Sequence, residues 1–169
     1  QKAFFKRDVR EPAVLGSTEI GYHFRQITPE QLQAQRKHYT APITVLDVET
    51  AGSSDKGFRT GGPIDEILSV SALKGVIDKK TGEFVVLDSL EHYYMPTAQG
   101  GKFFQAMEVT GLDAKRLSQL RIQQGANYPS QYSGTGEKEA LLEFLKGTTV
   151  VGHAVQTADF NWLGIAEEM

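Results

Sequence analysis

The sequence contains no cysteine at all, a single tryptophan and three methionines among its 169 residues. The missing thiols exclude disulfides, thiolate zinc sites and cysteine nucleophiles. No run reaches the ~18 consecutive apolar residues of a membrane span, and QKAFFKRDVREPAVLG carries no apolar segment of the signal-peptide kind. A soluble protein is therefore expected, cytoplasmic or nucleoid-associated, with no membrane partner and no targeting segment. Basic charge is also scarce: 18 Lys and Arg stand against 21 Asp and Glu, a net charge of -3. A coating of basic residues is thus ruled out, although a local basic track beside acidic metal ligands is not. There is no internal repeat, and the Gly-rich stretch GSSDKGFRTGG lacks the GxxxxGK[ST] arrangement that cradles nucleotide phosphates. The length falls short of the ~250 residues of a TIM barrel.

What is present is the composition of a folded domain, 40% hydrophobic and 23% charged. Residues 1–40 have the character of an N-terminal extension, with the charged run Lys6, Arg7, Asp8, Arg10, Glu11, a turn over Pro12–Ser17 and one short helix. That helix is predicted in TPEQLQAQRKHY, where Thr28 can cap, Pro29 suits the first helical position and Gln31 sits at the reciprocal capping position. Arg36 and Lys37 are then either an exposed helical face or a substrate contact.

From residue 41 onward the pattern alternates strands and helices. ITVLDVET reads as one strand, ILSVSALKGVI and FVVLDSLEHYYM as a hairpin joined by a turn over Asp78–Gly82, and TTVVGH as a short buried strand. Helices are predicted over Ala114–Gln123, in GEKEALLEFLKG, and over Ala158–Glu168. The order favours an α/β fold, a mixed sheet flanked by helices, over a β-barrel.

One strand carries unusual chemistry. Asp47 and Glu49 are two residues apart, so both point to the face shared with Val45, while Leu46 and Val48 point to the other. Two carboxylates side by side repel, and desolvating them is costly unless water or a cation compensates. Mg2+ or Mn2+ fits such oxygen ligands and can bridge them to phosphate. A solvated strand end is the plainer alternative. For Asp159, the residue type alone fits a helix N-cap.

VLDVETAG, PIDEILSVSAL, EVTGLD and VVGHAVQTADFNWL, in that order and separation, resemble the DnaQ-like (DEDD) superfamily of metal-dependent 3'-to-5' exonucleases, whose domain has an RNase H-like fold. The resemblance covers about residues 43–165, within a domain expected over 41–169. It implies a fold of RNase H type, with Asp47, Glu49 and Asp159 as the catalytic, metal-binding acids and two Mg2+ or Mn2+ ions in the active complex. It also implies that Thr50, Ala51 and Gly52 bring backbone groups to the terminal nucleotide, and that His153 contacts substrate, orients its loop or transfers a proton. The implied partner is single-stranded DNA or RNA, or a frayed duplex 3' end, hydrolysed to nucleoside monophosphates. Thr110, Ala154 and Ala158 stand where relatives commonly carry His, Asn and an aromatic residue. The family's last acid, in a His-x4-Asp or Tyr-x3-Asp pattern, has no match after Asp159, so the domain is expected to lack its C-terminal part. A catalytically degenerate nucleic-acid-binding domain and a structural protein-interaction domain are the alternatives. Asp65 and Glu66 either lead into the next strand or influence the site. Lys56, Arg59 and Lys102 would contact phosphates, and Phe58, Phe103 and Phe104 would stack on bases, unless they serve surface and packing.

Overall fold

The computed structural model describes residues 24–51, 67–95 and 108–169. The charged run and turn of residues 6–17, and Gly52, Lys56, Phe58, Arg59, Asp65, Glu66, Lys102, Phe103 and Phe104, lie outside them.

Thr28 begins the first helix, α1 (Pro29–Ala34), and its hydroxyl accepts from the Gln31 amide at 3.1 Å while the Gln31 side chain accepts from the Thr28 amide at 2.8 Å. This reciprocal pair satisfies two amides that a helix start leaves open. The helix stops earlier than its sequence suggests: Gln35 leaves helical geometry and Arg36–His38 form a 3-10 turn instead. The strands are β1 (Ile43–Thr50), β2 (Ile67–Ile77), β3 (Phe84–Tyr93) and β4 (Thr149–Val151). They make one mixed sheet in the order β3-β2-β1-β4, with β1 and β4 parallel and Ile43 opposite Thr149. Helices α2 (Ala114–Gln123) and α3 (Glu137–Leu145) follow β3 in the chain. Asp113 caps α2, accepting from the Arg116 amide at 2.7 Å. The α/β class and the mixed sheet with helices are as the sequence predicts.

Backbone contacts divide the chain into two compact units. One gathers the segment up to Leu46 with Ser71–Leu90 and Leu145–Val151; the other holds Asp47–Val70, Glu91–Phe144 and Gly152–Met169. In the first unit Tyr39, Val76 and Val85 form a buried cluster covered by Ile27, Leu32 and Leu87. Arg25 fastens this unit's first segment, donating to Asp78 at 3.0 Å and Glu83 at 3.3 Å. Gly75 has no substitute there: a Cβ would run into the Val85 carbonyl and lie 2.6 Å from the Phe84 ring. In the second unit Ala51, Leu68 and Leu117 form the buried cluster, with Tyr93, Met95 and Leu112 packed against it.

The last segment departs from the predicted helix over Ala158–Glu168. A π-helical turn over Val155–Asp159 leads into a single helical turn, α4 (Phe160–Trp162), and Gly164 at φ 66° ends it. Leu163 and Ile165 are both fully buried, a spacing that a continuing helix would not place on one face.

Candidate acidic site

Strand alternation places the first two acids. Thr44 and Leu46 are buried, whereas Asp47 is exposed and Glu49 half-buried, as the period of two requires on a strand with one covered face. Thr44 adds a polar anchor inside that face. The Thr148 hydroxyl donates to the Leu145 carbonyl at 2.7 Å, which leaves the Thr44 hydroxyl to donate to Thr148 at 2.8 Å. Burial raises the pKa of Glu49, and the neighbouring charge of Asp47 raises it further.

The third acid arrives from the opposite end of the chain. Ala154 turns the backbone through the left-handed region at φ 54° and ψ 30° just before the π-helical turn, and the Ala158 amide donates to its carbonyl at 2.8 Å. Phe160, Trp162, Leu163 and Ile165 are buried and anchor the chain on the C-terminal side of this turn. Asp159 thereby ends up 8% exposed. It occupies the N-cap position of α4, yet its side chain makes no capping bond, so the cap reading of this residue fails. Nor does that side chain form a hydrogen bond or ion pair with any described residue. Burial, then Asp47, then Glu49 push its pKa up to about 7.

These observations describe three carboxylates within mutual electrostatic reach, one of them buried with no side-chain partner among the described residues. A buried carboxylate in that position either holds its proton or calls for a cation. All donors are hard oxygens, the set that Mg2+ or Mn2+ prefers, and their chemistry fits such an ion. Among the described residues, no three His, Cys, Asp or Glu side chains gather into a metal-holding group, so the three acids are coupled electrostatically rather than closed around one point.

The remaining candidates differ in placement. Thr50 is half-buried, His153 is exposed, and the side chain of Ala51 is wholly buried against Leu68 and Leu117. The Leu112 amide donates to the Thr110 hydroxyl at 3.2 Å, and Gly111 takes φ 71° just before the Asp113 cap.

Sequence reading missed a second polar cluster in the same unit. Glu137, in the first turn of α3, is 6% exposed and accepts from the Tyr94 hydroxyl at 2.5 Å, with His92 Nδ1 at 3.3 Å from the same oxygen. His92 stacks on Tyr128 with ring centroids 4.2 Å apart, and the Arg121 guanidinium sits 4.7 Å from the centre of that tyrosine ring. Arg121 also donates to the carbonyls of Tyr93, Tyr128 and Pro129 at 2.7, 3.2 and 3.1 Å. Burial, helped by the Glu137 charge, raises the pKa of both Tyr94 and Tyr132. The available signal was Glu137 itself, an acid at a helix start, where the helix dipole favours negative charge.

Comparison of the chain with protein-family models, with curated proteins and with solved structures gives no match.

Proposed function

We propose that this chain is a metal-dependent 3'-to-5' exonuclease of the DnaQ-like (DEDD) type, built on an RNase H-like fold, that hydrolyses phosphodiester bonds at nucleic-acid 3' ends and releases nucleoside monophosphates. The observation that carries the reading is Asp159: a buried carboxylate with no side-chain partner among the described residues, coupled to Asp47 and Glu49 and raised to a pKa of about 7. The strand order β3-β2-β1-β4, with β4 parallel to β1, is compatible with this fold.

Asp47, Glu49 and Asp159 would hold Mg2+ or Mn2+, which supplies Lewis-acid polarisation of the scissile phosphate and of water. The protein's own part is to fix the acids. β1 presents Asp47 and Glu49 on one face, and the turn after Ala154 carries Asp159, whose charge has no partner among the described residues. That charge favours a bound cation over water, because the site without one carries mutual repulsion. His153, exposed after β4, is accessible for contact with the substrate.

The test is a 5'-labelled single-stranded DNA and RNA assay with Mg2+, Mn2+ or chelator. Stepwise shortening that requires metal, and that is lost in both Asp47→Ala and Asp159→Ala, is the expected outcome. Binding without shortening would replace the enzyme with a nucleic-acid-binding domain. Unchanged cleavage in both variants would remove the carboxylates from the mechanism.

A further inference from the structure

The chain carries an excess of acid, yet four of its cations collect on one surface of the first compact unit. Arg36 and Lys37 lie in the 3-10 turn after α1, and Lys79 and Lys80 in the turn between β2 and β3. The two segments are some forty positions apart in sequence and are joined by their backbones. The Lys79 amide donates to the His38 carbonyl at 2.9 Å, the Thr40 amide to Ile77 at 3.0 Å, and Tyr39 bridges Asp78. All four cationic residues are exposed, and none forms an ion pair with a described residue.

Two acids of the same hairpin, Asp78 and Glu83, are engaged elsewhere. Asp78 accepts from the backbone amides of Lys80 and Thr81 and from Arg25, and Glu83 also pairs with Arg25. Two of the cations make only carbonyl contacts: Arg36 donates to Thr40 at 2.8 Å, and the Lys79 ammonium to Lys37 at 3.3 Å. These bonds hold the side-chain bases in place and leave the charge without an ion-pair partner among the described residues. Among the described residues, the large apolar side chains that stand exposed, Val109, Ile122, Val151 and Met169, all belong to other segments, so none of them gives this patch an anchor for a lipid layer.

We infer that Arg36, Lys37, Lys79 and Lys80 form a docking surface for the phosphodiester backbone of a single-stranded nucleic acid, separate in composition from the acidic site. The fit is one of charge: a row of solvated cations on a pre-ordered backbone matches a regularly charged polyanion, and carries no base specificity. The choice of nucleic acid as the polyanion rests on the proposed exonuclease reading, while the patch itself rests on the placement of the four side chains.

The experiment measures binding of a fluorescent oligothymidylate to the whole chain in excess chelator, so that cleavage plays no part, across a salt series. The variant is K37E/K79E/K80E, with Arg36 kept because its guanidinium also holds the Thr40 carbonyl. On single strands each lost phosphate contact reduces the slope of log affinity against log salt by ~0.7, so the triple variant should lose about two units of slope. Its deficit against the parent should then change by about 20-fold between roughly 50 and 200 mM salt. K115E/K146E, exposed elsewhere, should bind as the parent does. If the charge reversal disturbs folding, as judged by its thermal melt, K37A/K79A/K80A gives the same readout with the charge removed rather than inverted.

Equal affinity and slope in the triple variant would overturn the inference, as would binding to phosphatidylserine vesicles in preference to the oligonucleotide. Lost binding in chelator together with no cleavage by the parent in Mg2+ or Mn2+ would keep the docking surface and sink the exonuclease. Retained binding together with metal-dependent cleavage would do the reverse.

Discussion

Replacing Asp159 by Asn keeps the shape of the side chain and removes the charge. The carboxylate titrates near 3.8 when unperturbed and is pushed up to about 7 in the fold. A group whose folded pKa is raised binds its proton more tightly in the native state, so stability is lost as pH rises from about 4 and levels off above 7. At 1.36 kcal/mol per pH unit the unscreened loss would be ~4 kcal/mol. Asp159 keeps some contact with water and Asp47 is exposed, so solvent screens both the burial and the charge contributions, which brings the expected loss to ~2 kcal/mol. Asp159→Asn escapes that loss. Its unfolding free energy should match that of the parent near pH 4 and exceed it by ~2 kcal/mol at pH 8. Urea unfolding followed by the fluorescence of Trp162, the single tryptophan and a buried neighbour in the chain, reads this directly. Addition of Mg2+ at pH 8 should then raise the midpoint of the parent and leave that of the variant in place. Stability curves that run parallel from pH 4 to 8 would refute the electrostatic account of this site.

Three further outcomes test the surrounding fold. The left-handed backbone of Ala154, at φ 54°, costs roughly 1 kcal/mol, so Ala154→Gly should stabilise by ~0.5 to 1 kcal/mol in the same urea assay. Gly75→Ala should destabilise by about 1–3 kcal/mol, since the new methyl meets the Val85 carbonyl and the Phe84 ring with no space to move. Tyr94→Phe removes the hydroxyl donated to the buried Glu137 carboxylate and should cost ~1.5–3 kcal/mol, against ~1 kcal/mol for Tyr132→Phe, whose partner is the neutral Leu163 carbonyl.

The parts of this structure visible in the sequence are those governed by near neighbours. β1 runs over Ile43–Thr50 because a β-branched and apolar octapeptide has few other options, and the alternation within it separates Leu46 from Asp47. Thr28 and Gln31 announce the capping box at three residues' distance. The long final helix does not form because the apolar spacing after Asp159 is set by burial of Leu163 and Ile165 on either side of Gly164, which local helix propensity does not register. The coupling of Asp159 is hidden for a related reason: the charges that act on it, Asp47 and Glu49, lie on β1, more than a hundred positions earlier. Glu137 is visible in the sequence only as an acid at a helix start, a position ordinarily solvated, and its pairing with Tyr94 and His92, brought in from β3 and the residue after it, is not.

Arg121 makes three carbonyl bonds across sequence separations of 28, 8 and 7 residues, and a tyrosine ring closes over its guanidinium. In a chain without cysteine these bonds act as a non-covalent cross-link. It differs from a disulfide in where it acts: a covalent bridge restricts the unfolded chain, whereas these bonds vanish with the fold and leave the denatured ensemble unconstrained. The stability of the protein is accordingly indifferent to reductant, and the tie it provides can be re-formed on every refolding without an oxidation step.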